Sequence, residues 1–216
     1  MQVTVIFDMD GVIVNNGEFH FLAWKKFCEK HNISISKDAF KNKFFGRTNE
    51  EVLPELFGRE LSGEQIKSLG NEKEEIYREI YKPHLKPVNG LVSFLKELKK
   101  KNIPVGIATS APPENVDFVI NGLEIRSYIE TIVDDSMVSN GKPAPDIYIE
   151  AARRLQSKPE NCVVFEDSLS GTKAAWDASA KVVAVTTTLP AGKHTYAHKI
   201  IPDFEGMSVE FVRGLL

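Results

Sequence analysis

The feature that most constrains this chain is a strand cut off from its partners. Val3 to Phe7 reads as a short buried strand, apolar apart from Thr4 and β-branched at most positions. Nothing strand-like follows until after Pro87. From Glu18 to about Pro83 the pattern is helical: Phe19, Leu22, Ala23 and Phe27 share one helical face, and Ser36, Thr48 and Ser62 each stand where a helix could begin. Thr48 to Glu51 and Ser62 to Gln65 also fit the capping box, in which a side-chain acceptor meets the first helical amides and an acid or amide reaches back from three residues on. Pro83 closes the last of these helices.

Beyond Pro87 helices and strands alternate. Helices are expected near Leu91–Lys100, Glu114–Asn121, Asp146–Leu155 and Ser170–Ala178, and strands at Val105–Ala108, Thr131–Val133, Val163–Phe165 and Val182–Val185. This order implies right-handed crossovers and a parallel sheet covered on both faces. The fold class is therefore α/β, a doubly wound parallel sheet. Its first strand is separated from the others by about seventy residues, too many for a structureless loop. The expected organisation is a core of residues 1–15 and 86–216 with an all-helical insert at 16–85.

Charge and composition exclude several partners. Net charge is −3 with the signs interspersed, so no basic stripe points to nucleic acid, and the lysine run Lys99 to Lys101 falls where a helix should end. No positively charged leader precedes an apolar stretch, and no apolar run approaches the roughly 20 residues that span a bilayer. A cytoplasmic protein without a membrane partner is expected. Cys28 and Cys162 are too few for a disulfide scaffold or a zinc site and read as buried, inert thiols.

In an open parallel sheet the active crevice lies beyond the carboxyl ends of the strands. Polar residues stand at four of those ends: Asp8 and Asp10, Thr109 and Ser110, Glu166 and Asp167, and Lys142 in the loop after Val133. Crowded carboxylates raise one another's pKa and oppose folding unless a cation joins them. Oxygen donors without histidine or cysteine suit magnesium, which takes one or two carboxylates and a substrate phosphate. Phosphoryl chemistry follows. Thr109 and Ser110 offer donors for phosphate oxygens near a helix start, and Lys142 supplies the positive charge a transferring phosphoryl group requires. A calcium loop is the other reading of Asp8-Met9-Asp10-Gly11, but such a loop follows a helix and ends in a glutamate.

These residues match known motifs. "IFDMDGV", "IATSA", "GKPAPD" and "VFEDSLSG" stand in the order of the four motifs of the haloacid dehalogenase superfamily, and the chain resembles the subgroup that includes β-phosphoglucomutase and many small-molecule phosphatases. The resemblance implies a Rossmann-like core with a helical cap that closes over it. It further implies that Asp8 is the nucleophile and forms an aspartyl-phosphate, and that Asp10 protonates the leaving oxygen and then activates water. Thr109 would hold a phosphate oxygen and Lys142 would neutralise charge beside Asp8. Asp8, the main-chain carbonyl of Asp10, Asp167 and, as a second acid, Glu166 would bind magnesium.

The same resemblance places His20 of "EFHFLAW" and Gly46 and Arg47 of "FFGRTNEE" in the substrate-selecting part of the cap. A histidine beside Phe19 and Trp24 also fits packing, and an arginine at a helix start also fits a surface role. In β-phosphoglucomutase the arginine that grips the second phosphate follows the loop glycine by three residues, and here Asn49 stands at that offset. The expected activity is a phosphatase acting on a small phosphorylated metabolite. A phosphohexomutase is the alternative, a phosphonate hydrolase is disfavoured for want of a suitably placed cap lysine, and an inactive binding module would have lost motif residues that are all present. Nothing in the sequence demands more than a monomer.

Overall fold

The structure is a computed structural model that describes residues 3–36, 38, 40, 44 and 47–216. Six parallel strands build the sheet: β1 (Thr4–Phe7), β2 (Val105–Thr109), β3 (Thr131–Asp134), β4 (Cys162–Glu166), β5 (Lys181–Val185) and β6 (Lys199–Ile201). They lie in the order β3-β2-β1-β4-β5-β6. The isolated first strand thus occupies the centre, with Phe7 opposite Ile107 on β2 and Phe165 on β4. The strand order reverses at β1, which makes its carboxyl end the switch point of the fold.

The chain divides into two compact units, one of Met1–Asn15 with Lys86–Leu216 and one of Asn16–Leu85. In the first, every strand of the central trio is buried, as a sheet covered on both faces requires. On one face Phe7, Phe94, Phe165 and Phe204 form an aromatic cluster in which Phe7 and Phe165 stack at 5.1 Å. Phe94 comes from α4 (Leu91–Lys100), whose last turn carries the basic residues Lys99 and Lys100. On the other face Ile6, Val164 and Val182 pack with Ile147 and Ala151 of α6 (Asp146–Arg154) and Ala174 and Ala175 of α7 (Leu169–Asp177). Phe165→Ala should lower stability by about 3–5 kcal/mol through the cavity it leaves, read as a lower denaturation midpoint with an unchanged slope.

Two elements were not expected from the sequence. The edge strand β6 has three residues, two of them exposed, and so lacks the apolar run that marks a buried strand. The short helix α8 (Val209–Arg213) buries only Val209 and Val212. The helix α5 (Pro113–Gly122) follows β2 closely.

The second unit holds α1 (Gly17–Lys30), α2 (Asn49–Phe57) and α3 (Gly63–Tyr81). Both capping boxes are present: Glu51 accepts from the Thr48 amide at 3.0 Å, and Ser62 and Gln65 exchange bonds at 3.0 and 3.3 Å. The helix start at Ser36 falls on a segment largely outside the described residues. The buried face of α1 is Ala23, Trp24, Phe27 and Cys28, and Leu22 is exposed instead. The buried stripe is turned toward Trp24 and Cys28, and helical spacing then puts Leu22 on the opposite side. Both cysteines are buried and free, and burial pushes each thiol up to about 11. Among the described residues no helix is long and apolar enough to cross a membrane.

Candidate active site

The end of β1 builds the site. The Asp8 amide donates to the Phe165 carbonyl at 2.9 Å, extending the ladder to β4, after which the amides of Val12, Ile13 and Val14 all turn back to the Met9 carbonyl. The turn is completed by Gly11, at φ 83°, whose amide donates to the Val14 carbonyl. A Cβ on Gly11 would lie 1.9 Å from Asp167 Oδ2, so the position needs glycine for its conformation and for the carboxylate beside it. Thr187, in the loop after β5, donates its hydroxyl to the Gly11 carbonyl.

From β4 come Glu166 and Asp167. Ser168 caps α7, accepting from the Gly171 amide at 2.9 Å and donating to Glu166 Oε2 at 3.0 Å. A Cβ on Gly171 would fall 1.6 Å from Glu166 Oε1, which is why glycine stands in the first turn of α7. Glu166 is fully occupied as an acceptor. Oε1 takes Lys142 Nζ at 2.8 Å and Tyr148 Oη at 3.0 Å, and Oε2 takes the Asp167 and Ser168 amides at 2.8 and 2.9 Å as well as the Ser168 hydroxyl.

Lys142 arrives on the loop between β3 and α6, and its three protons all find oxygens: Asp8 Oδ1 at 2.6 Å, Glu166 Oε1, and the Ala108 carbonyl at 3.1 Å. Burial opposes its charge, but Asp8 and Glu166 outweigh burial and hold the ammonium well above its ordinary range. One ammonium does not balance three carboxylates. Burial raises Asp8 from 3.8 to about 8, with Glu166 and Asp10 adding to the rise and Lys142 opposing it. Asp167 is pushed well up by burial, Glu166 and Asp8. Glu166 ends below its ordinary value, because Lys142 and the amide and hydroxyl donors overcome its burial.

Ligand oxygens of Asp8, Glu166 and Asp167 all lie within 4.8 Å of one another. Buried hard donors, with less compensating charge than they carry, fit a divalent cation. Asp10 is half-buried and close enough for its charge to act on Asp8. At the end of β2, Thr109 is buried and its Oγ1 accepts from the Ala111 amide at 3.1 Å, which leaves the hydroxyl proton to donate elsewhere. Ser110 beside it is exposed.

The remaining sequence candidates belong to the helical unit. His20 stacks on Tyr77 at 4.0 Å, with Nδ1 3.1 Å from Lys73 Nζ. Lys73 and Glu74 are buried and paired at 2.8 Å, and Asn49 Nδ2 donates to the same Glu74 oxygen at 3.0 Å. Burial would raise Glu74, but the Lys73 and His20 charges bring it down to about 2. Arg47 is exposed, donates to Glu55 at 2.8 Å and to the Glu51 carbonyl at 3.2 Å, and so fastens onto α2. Gly46 lies outside the described residues.

Sequence reasoning missed Tyr148, Thr187, Lys73 and Glu74. Tyr148 left one signal: it shares the buried register of Ile147, Ala151 and Ala152, and a buried tyrosine requires a partner for its hydroxyl.

Residues 5–185 match the haloacid dehalogenase-like hydrolase family. The chain is 34% identical over 194 residues to a phosphorylated carbohydrates phosphatase of Thermotoga maritima, covering 88% of each chain. It is 33% identical over 192 residues to the β-phosphoglucomutase of Bacillus subtilis, covering 84% of this chain and 82% of that one. Among solved structures it is similar to a HAD hydrolase, family IA, variant 3, from Entamoeba histolytica, with a TM-score of 0.91 at 29% identity across 99% of each chain.

Proposed function

The chain belongs to the haloacid dehalogenase-like hydrolase family, and we propose that it is a magnesium-dependent phosphatase of small phosphorylated metabolites that works through an aspartyl-phosphate on Asp8. The observation that carries this reading is the contact of Lys142 with Asp8 at 2.6 Å inside a cluster of three buried carboxylates at the sheet's switch point. A buried carboxylate held beside an ammonium is directed for attack on phosphorus.

In the first half-reaction an Asp8 oxygen bonds to phosphorus, the ester P–O bond breaks, and Asp10 gives its proton to the leaving alkoxide. In the second, Asp10 takes a proton from water, whose oxygen bonds to phosphorus. The acyl-phosphate bond breaks, releasing orthophosphate and restoring Asp8. Lys142 stays on the oxygens of Asp8 and the transferring group throughout, and the Thr109 hydroxyl donates to a phosphate oxygen. Asp8, the Asp10 carbonyl and Asp167 would hold the magnesium ion, which supplies positive charge against the phosphate when bound, while Glu166, its oxygens taken by five donors, stands beside them and holds Lys142.

We assign the chemistry to the α/β unit and the choice of substrate to the helical unit. A phosphatase is favoured over a mutase because a mutase must grip a second phosphate. Asn49, at the offset of the mutase arginine, is uncharged and bonded to Glu74, while Arg47 is taken up by Glu55 and Glu51. The relatives include a phosphorylated carbohydrates phosphatase and a β-phosphoglucomutase, so a panel of sugar and polyol phosphates assayed with magnesium decides. Stoichiometric release of orthophosphate is expected. Isomerisation that depends on catalytic sugar bisphosphate, with little free phosphate, would assign the mutase activity instead.

A further inference from the structure

We infer that Tyr148 is a positioning residue of this site, its hydroxyl and ring together fixing Glu166 and Lys142 and so setting the direction from which the Lys142 ammonium meets Asp8. The inference rests on the phosphatase reading above. Tyr148 is 1% exposed, on the face of α6 that packs against the sheet. Its hydroxyl donates to Glu166 Oε1 at 3.0 Å, and Lys142 Nζ lies 5.1 Å from its ring centroid.

Counting donors and acceptors shows what the hydroxyl does. Glu166 Oε1 has two lone-pair directions, one filled by Lys142 and the other by Tyr148. Lys142 in turn divides its three protons among Asp8, Glu166 and the Ala108 carbonyl. Without the tyrosine hydroxyl, Oε1 has an unfilled lone pair in a buried place, and the nearest donor that can fill it is the same ammonium. Lys142 would then move toward Glu166 at the expense of Asp8. The ring face adds a second restraint, because a desolvated cation over an aromatic face is held in place by the ring quadrupole. Tyr148 touches no reacting atom. It acts through Glu166 and Lys142.

Tyr148→Phe keeps the ring and deletes only the hydroxyl. With p-nitrophenyl phosphate and saturating magnesium, kcat should fall about tenfold or more, the loss usual for a group that orients catalytic side chains. KM should change by less than about twofold, because the interaction is felt during transfer and not on binding. Tyr148→Leu, which also removes the ring, should lose more. A kcat for Tyr148→Phe equal to wild type, even with a lower melting temperature, overturns the inference.

A double-mutant cycle with Glu166→Gln tests the route. If Tyr148 works through Glu166, adding Tyr148→Phe to Glu166→Gln costs less than about twofold, and a full additional loss overturns it. The cycle is paired with a binding measurement. Orthovanadate with magnesium, titrated calorimetrically, should bind Tyr148→Phe about tenfold more weakly than wild type, and equal binding overturns the inference. Should wild type release no phosphate from any ester, the phosphatase reading falls while the vanadate comparison still decides the role of Tyr148.

Discussion

Asp8→Asn is expected to lose phosphate release by on the order of 10⁴-fold or more, while the metal-free protein keeps its fold and melts no lower than wild type. The replacement is close to isosteric and leaves an oxygen for Lys142, which now approaches Asp8 at 2.6 Å. What it removes is the anionic oxygen that bonds to phosphorus, and no neighbouring group can take that part. Glu166 has both oxygens committed to five donors, and Asp167 packs against the backbone of Gly11. Stability should not suffer, because burial already raises Asp8 to about 8 and its charge is a cost to the fold. Function and stability pull apart at such a residue. Phosphate release with magnesium and a thermal melt of the same preparation in a chelator check both halves. If Asp8→Asn hydrolyses generic esters as well as wild type, the covalent mechanism proposed for Asp8 is wrong.

The second large effect is on the metal-free protein, whose stability should fall by several kcal/mol as pH rises from about 4.5 to about 8. The sign follows from proton counting. Between its ordinary 3.8 and about 8, native Asp8 keeps a proton that the unfolded chain has already released, so the unfolded state binds fewer protons and each rise in pH favours it. Asp167, also raised, acts in the same direction. Glu166 is lowered, so the stability it adds is lost only below its ordinary 4.5, outside this window. Lys142 is held above its ordinary 10.5, so its contribution is complete throughout.

Thermal melts in a chelator between pH 5 and pH 8 should therefore show a falling melting temperature, and Asp8→Asn should flatten the slope. Magnesium should stabilise most at the alkaline end, where the carboxylates bind it without releasing protons, by about 2.7 kcal/mol at a hundred times its dissociation constant. A melting temperature that is level or rising with pH in the chelator would mean that the three carboxylates are balanced without a cation.

The strand pattern was legible because burial on both faces leaves a plain record. Val5, Ile6 and Phe7 are apolar without alternation, as a central parallel strand must be, and β2, β4 and β5 repeat the pattern. β6 left no such record, because a three-residue edge strand with two exposed residues is held by its neighbour's ladder more than by its own side chains. The acids that follow β1, the lysine on the loop after β3 and the acid pair at the end of β4 were legible for a related reason. Residues so costly to bury stand at strand ends only where something compensates them.

Other features were hidden. The turn that follows β1 was one of them, with the amides of Val12, Ile13 and Val14 converging on the Met9 carbonyl. Nor does sequence spacing distinguish an arginine that grips substrate from one that grips its own helix. Arg47 does the second, through Glu55 and Glu51. Lys73 and Glu74 are adjacent in a helix and look like ordinary surface charges, yet both are buried and paired.

By itself the sequence determined a doubly wound parallel sheet, the helical insert that follows its first strand and the identity of the acids and the lysine at the strand ends. These follow from periodicity and from the cost of burying charge, which are local properties of the chain. Only the tertiary structure decided how that charge is shared. It set the three protons of Lys142 on Asp8, Glu166 and Ala108, left Asp8 raised and Glu166 lowered, and brought Tyr148 from α6 to close the network. Electrostatic balance depends on distances between residues more than a hundred positions apart, and those distances exist only once the sheet has assembled.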